Sequence, residues 1–212
     1  LKEAIKENQT DKDGKLVVLY AGNKEAQHSY IEIAKDKGYQ VLLLDSPIIP
    51  HLIQKLESDN SGLTFVRVDS DHIDNLIKKE ETAISKLSTE EQESLKTVVE
   101  TIVPKQTYTV QLEALDSSAA PFIITQPEFM RRMKEMSQTG GGGMFGMGNF
   151  PEMYNLVVNT NSDLATSILN NEDKTVQENL VKQALDLAKL SQNLLKGEAL
   201  TAFVKRSFEM IK

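Results

Sequence analysis

The chain contains no cysteine, and that absence excludes disulfides, thiolate nucleophiles, iron–sulfur clusters and cysteine-based zinc sites. Long hydrophobic runs are missing too. Apolar stretches such as Val41-Leu42-Leu43-Leu44 are only a few residues long, against the ~18 that a spanning helix needs, so no membrane association is expected. Basic charge is in deficit, with 24 Lys and Arg against 31 Asp and Glu, which removes any general pull on nucleic acid or anionic lipid. With no signal-like start, the chain reads as cytoplasmic. It opens on Leu1-Lys2-Glu3 without a methionine and so reads as part of a longer protein.

Chemistry is sparse as well. The histidines His28, His51 and His72 are scattered, with no ligand spacing. Asp69, Asp71, His72 and Asp74 suggest a metal loop. As a calcium loop, however, the segment has Asp74 where glycine is required and Ile73 where an oxygen ligand belongs, so no metal is expected. There is no Gly-x-Ser-x-Gly elbow, and no Gly-Lys-Ser/Thr follows the glycine run at 140–143. No catalytic constellation emerges.

What is present is a regular order of elements. Leu16 to Tyr20, Val41 to Leu44 and Leu63 to Val68 read as strands, with Glu25–Lys37 and Ile48–Leu56 as helices between them. Ile31, Ile33 and Ala34 mark the inner side of the first helix and Gly38 its end. The second strand is apolar on both faces, as covered parallel strands are. After Asp71 the strands stop and a helical stretch begins, with Leu76, Ile77, Ile84 and Leu87 on its apolar side. Ser88-Thr89-Glu90-Glu91 fits a capping box that restarts a helix to about Val103, where Pro104 breaks it. Strands follow at Tyr108–Leu115, Pro121–Thr125 and Met153–Val158. The expected class is α+β / α/β: a small three-layer α/β subdomain over 1–78, then a mixed domain over 79–212 ending in a helical bundle.

Two regions carry the functional signal. Six of the seven methionines fall between Met130 and Met153, beside six of the eleven glycines. On a helix starting at Gln126-Pro127-Glu128, Phe129, Met130, Met133 and Met136 form one stripe, with Arg131, Arg132, Lys134 and Glu135 on the other side. Methionine is flexible and polarisable, so such a stripe suits variable apolar partners, and the glycine run after it adds Met144, Phe145 and Met147. Packing of the stripe into its own domain is the alternative. At the C-terminal end, the apolar positions of a helix from Val176 to Leu195 spread over about 220° of arc, where one core needs little more than ~100°. Gly197 ends that helix, and a last one follows. The excess predicts a bundle completed by a second copy through Leu180, Ala184, Leu187, Leu190, Leu194, Leu200, Val204, Phe208 and Ile211. A helix sandwiched within its own chain is the alternative here.

Lys37-Gly38-Tyr39-Gln40-Val41-Leu42-Leu43-Leu44, and Ala120-Pro121-Phe122-Ile123-Ile124-Thr125 followed by Glu128-Phe129-Met130-Arg131-Arg132-Met133, resemble the ninety-kilodalton heat-shock chaperones, in particular their bacterial branch. The resemblance implies the end of a middle domain followed by a dimerisation domain. It also implies a homodimer that contacts unfolded or partly folded client proteins through Phe129, Met130, Met133 and Met136. ATP and magnesium, in this family, belong to an upstream domain, so the chain itself is expected to be no enzyme and to need no cofactor. Ser137 stands where many members carry a further apolar residue. A small α/β nucleotide- or substrate-binding enzyme domain with a helical cap is the competing reading.

Overall fold

A computed structural model of the chain describes residues 2–77, 83–132 and 153–211. It divides into two compact units, one formed by Leu1–Glu81 with Thr125–Met153, the other by Thr82–Ile124 with Tyr154–Lys212. The boundary expected near residue 78 falls on 78–82, outside the described residues.

In the first unit a short α1 (Lys2–Ile5) leads into β1 (Leu16–Ala21), β2 (Val41–Leu43) and β3 (Leu63–Arg67), with α2 (His28–Asp36) and α3 (Ile49–Asp59) as the crossovers. The sheet is parallel in the order β2-β1-β3, with Leu19 opposite Val41 and Val18 opposite Phe65. Central β1 is buried from Val17 to Ala21, as a strand paired on both sides must be. Its inward side chains join Ile5, Ile53, Leu63 and Phe65 in one core. Gly38, at φ +77°, takes the left-handed position that ends α2, its N–H donating to the Lys35 carbonyl at 2.8 Å. Pro50 sits in the first turn of α3, where no N–H partner is needed.

Three expectations fail in this part of the chain. Ile33 is exposed, and α2 buries Tyr30, Ile31 and Ala34 instead. Strand β2 is not covered on both faces: it lies at the sheet edge, and Leu43 is 53% exposed. Among the described residues, the helical stretch after Asp71 is α4 (Ile73–Leu76), capped by His72 and ended by extended backbone at Ile77. Ile84, placed on its apolar side, is 89% exposed.

The second unit holds α5 (Thr89–Ile102), β4 (Tyr108–Glu113), β5 (Phe122–Thr125), β6 (Tyr154–Asn159), α7 (Asp163–Asn170), α8 (Lys174–Ser191) and α9 (Gly197–Ile211). Between β5 and β6 the chain starts a further helix, α6, described over 128–132 and belonging to the first unit. The sheet order is β4-β6-β5, with β4 parallel to β6 and Val110 opposite Leu156. The capping box at α5 is complete. Ser88 Oγ accepts from the Glu91 N–H at 3.2 Å, and Glu91 Oε2 accepts from the Ser88 N–H at 2.7 Å. Leu95, Val99, Leu156, Ile168 and Val181 are the fully enclosed centre of the core. Residues 84–87 are not helical because the buried amide of Asn161 takes backbone groups of this segment. Asn161 accepts from the Lys86 N–H at 2.7 Å and donates to the Ile84 and Leu115 carbonyls, while Asn159 holds the Leu115 N–H and the Asp116 carbonyl.

Helix α8 starts at Asp173, whose carboxylate accepts from the Thr175 and Val176 N–H groups. It stops at Ser191, earlier than expected. Asn193, at φ 55°, supplies the left-handed residue after it, and Gly197 opens α9 rather than closing α8. Gln183 and Arg206 tie the two helices, with Arg206 donating to Gln183 Oε1 at 2.8 Å and to Asp186 Oδ2 at 2.6 Å. The α/β and α+β units together give the class expected from the sequence.

Candidate functional site

The start of α6 is anchored by its two arginines. Arg131 is buried; its guanidinium donates to the Tyr20 hydroxyl at 2.5 Å and pairs with Glu128, and it lies 5.6 Å over the Tyr20 ring. Arg132 donates to Glu128 at 2.6 Å, to both Glu57 oxygens at 2.8 and 3.3 Å, and to the Phe65 carbonyl at 2.6 Å. Burial opposes the Arg132 charge, but the hydrogen bonds and charges of Glu57 and Glu128 outweigh it and hold the guanidinium more firmly protonated than usual. This fastening turns the other side outward: Phe129 is 71% exposed and Met130 half-buried. Of the sequence-predicted contact residues, Met133, Met136, Met144, Phe145 and Met147 lie outside the described residues.

The clasp is what sequence reasoning missed. Arg131 and Arg132 read there as the polar side of a helix, yet they are its attachment to α3 and β1. Glu128, three and four residues earlier, was a visible partner at helical spacing. Glu57 and Tyr20 are too remote in sequence for any local pattern to join them.

The terminal helices separate into two sets. Val181, Ala184, Leu185, Ala188 and Phe203 are buried within the chain, so Ala184, predicted at the interface, belongs to the chain's own core. Leu180, Leu194 and Leu200 are half-buried. Leu187 (52%), Leu190, Val204, Phe208 and Ile211 (81%) remain exposed, as does Met210, which the pattern did not single out. Among the described residues no three His, Asp or Glu side chains group to hold a metal, and no helix is long and apolar enough to cross a membrane.

A parallel α/β unit followed by an α+β unit with an outward apolar face on its last two helices is the architecture to be matched with known proteins. No protein-family model matches the chain. Curated relatives do. The chain is 36% identical to a chaperone protein HtpG of Bacteroides thetaiotaomicron over 98% of its own length and 40% of the relative's. It is 43% identical to an HtpG of Porphyromonas gingivalis over 86% of its length and 27% of the relative's. A Bacteroides fragilis HtpG matches at 35% over 98% of the chain and 40% of the relative. The chain therefore belongs to the HtpG chaperone family, of whose length it spans 40% or less in these matches.

Proposed function

We propose that this chain is the dimerising and client-contacting part of an HtpG-type chaperone, one without chemistry of its own. The observation that carries the reading is the outward apolar face of α8 and α9. Leu187, Leu190, Val204, Phe208 and Ile211 stay exposed although Val181, Leu185 and Ala188 already fill the chain's core. A second copy covering such a face forms a helical bundle, and a stable one buries roughly 1,200–2,000 Å². The client contact is assigned to the α6 segment, with Phe129 and Met130 as its described members. ATP and magnesium act elsewhere in the whole chaperone on this reading, and the protein works in the cytoplasm.

The test is mass in solution. Light scattering at micromolar concentration should give twice the chain mass of 23.7 kDa. A value at 23.7 kDa removes the proposal.

A further inference from the structure

We infer that the outer edge of β2 takes up an extended apolar polypeptide segment flanked by basic residues, pairing it as a fourth strand through the backbone of Val41 and Leu43. This goes beyond the chaperone reading and does not rest on it.

The two edges of the first sheet are finished differently. Along a parallel strand, the backbone groups of alternate residues point to opposite sides. Val68, following β3, donates to the Tyr20 carbonyl of β1 at 2.9 Å, so Leu63, Phe65 and Arg67 turn their groups outward. Those groups are taken. The Leu63 N–H donates to the Asn60 carbonyl at 3.0 Å, and the Phe65 N–H to Glu57 Oε1 at 2.7 Å. The Phe65 carbonyl accepts from Arg132 at 2.6 Å, and the Arg67 carbonyl from the Ser70 N–H and hydroxyl at 3.0 and 2.7 Å. The ion pair of Glu57 and Arg132 thus stands where a neighbouring strand would lie, and β3 is closed.

Strand β2 has no such finish. Leu44 donates to the Ala21 carbonyl at 2.8 Å, so Leu42 and Leu44 face β1 while Val41 and Leu43 face outward. The N–H and C=O groups of Val41 and Leu43 meet no hydrogen-bond partner among the described residues. Sheet edges are ordinarily guarded by charge, proline or a bulge. Val41 and Leu43 carry neither charge nor proline, and Leu43 is 53% exposed. Two donors and two acceptors in line on an open edge are what strand addition uses.

The surroundings select the occupant. Leu42 packs into the core on the α3 side of the sheet, so Leu43 belongs to the opposite face. On the α3 side Leu52 is 45% exposed. Glu57 reaches β3 from α3, and Leu52 lies about 140° round that helix from it, on the flank toward β2. Side chains of an added strand alternate between these two faces and meet an exposed leucine on each. Charge fixes the flank of the segment. Asp45, two residues after Leu43, is exposed and makes no ion pair among the described residues, whereas Lys37 is held by Asp74 at 2.7 Å. A basic residue at that end is attracted and an acidic one repelled.

The experiment titrates the full chain with the peptide acetyl-Lys-Val-Thr-Val-Thr-Val-Lys-amide, read by nitrogen-15 NMR and amide hydrogen exchange. The Val41 and Leu43 N–H groups should shift and exchange more slowly, saturating in the millimolar range for so short a strand. The same peptide with its three central amides N-methylated keeps the side chains and loses donors on both of its edges, so it should bind at least about tenfold more weakly. Glutamates in place of the lysines should weaken binding about two- to fivefold, and Asp45→Asn should remove that difference. Leu43→Pro deletes an outward N–H while Leu42 and Leu44 keep the ladder to β1, so the response should vanish. The N-methylated peptide leaves the protein unchanged and decides the matter alone if Leu43→Pro fails to fold. The inference is overturned if the peptide affects neither amide, or if both are already protected without it, as an edge covered by a second copy would be. It is equally overturned if the N-methylated peptide binds like its parent, or if the glutamate peptide binds as tightly as the lysine one.

Discussion

At the scale of single residues, the most consequential contact is that of Glu57 with Arg132. Both side chains are 23% exposed, so solvent screens the pair only in part. Glu57→Ala strips two hydrogen bonds from Arg132 and one from the Phe65 N–H, while Glu128 and the Phe65 carbonyl remain. The expected cost is about 1–2 kcal/mol, read by urea unfolding of the chain. A loss below ~0.3 kcal/mol would show the clasp to be incidental. His72 gives a second residue-scale prediction. Burial lowers its pKa below the ordinary 6.5; Asp74 and Asp71 pull it back up, and Lys37 adds to the lowering. Its Nδ1 accepts from the Asp74 N–H and caps α4, a role that requires the unprotonated nitrogen. The unfolded chain therefore binds the proton more readily than the folded one. The stability that His72 contributes is complete above pH 6.5 and is lost as pH falls through its lowered folded value. Unfolding midpoints measured from pH 7.5 to 5 should fall on acidification, and His72→Asn should flatten part of that slope. An unchanged slope in the variant contradicts the assignment.

At the scale of elements, α6 presents a contrast between its two sides. Arg131 and Arg132 are fastened, whereas Phe129 meets few neighbours at 71% exposure. Phe129→Ala should therefore cost less than ~0.5 kcal/mol, where truncation of an enclosed side chain such as Leu95 costs about 2–5 kcal/mol. In the whole chaperone the same change should weaken suppression of client aggregation at an unchanged melting temperature. A sharp fall in melting with full activity per folded molecule would make Phe129 ordinary core. The elements also show what a sequence can carry. The α5 start was legible because a capping box is local: four consecutive residues contain both of its hydrogen bonds. The strands were legible as short apolar runs bounded by turns. The exposure of Leu43 was not, since β2 becomes an edge only through the order β2-β1-β3. Residues 84–87 read as helix because their apolar spacing is helical, but Asn161, about 75 residues away, holds their backbone. The end of α8 was misplaced for a subtler reason. Glycine is the commoner left-handed residue, and here Asn193 takes that conformation four residues earlier. In the candidate site the outward position of Phe129 agrees with the stripe read from spacing, while the attachment of α6 to Glu57 and Tyr20 was not legible.

At the scale of the whole molecule, pairing through the outward face of α8 and α9 would make stability a property of concentration. If two copies pair through this face, unfolding includes dissociation, and the melting temperature must rise with protein concentration by mass action. The chain alone should show no such rise if the face is merely surface. Leu187 is the residue for the decisive comparison. It is 52% exposed within one chain, so Leu187→Glu leaves the core of Val181, Leu185 and Ala188 intact and should cost the isolated fold no more than ~0.5 kcal/mol. In a pair it would bury a carboxylate against apolar side chains, which a two-fold interface repeats on both copies. The parent chain should therefore gain several degrees in melting temperature across a hundredfold rise in concentration, and the variant should gain none while keeping its helical circular dichroism. Val181→Asp provides the other limit. That site is fully enclosed, so the charge should unfold the second unit at every concentration. A parent chain that melts at one temperature across the whole range would show that the apolar face of α8 and α9 does not hold a second copy.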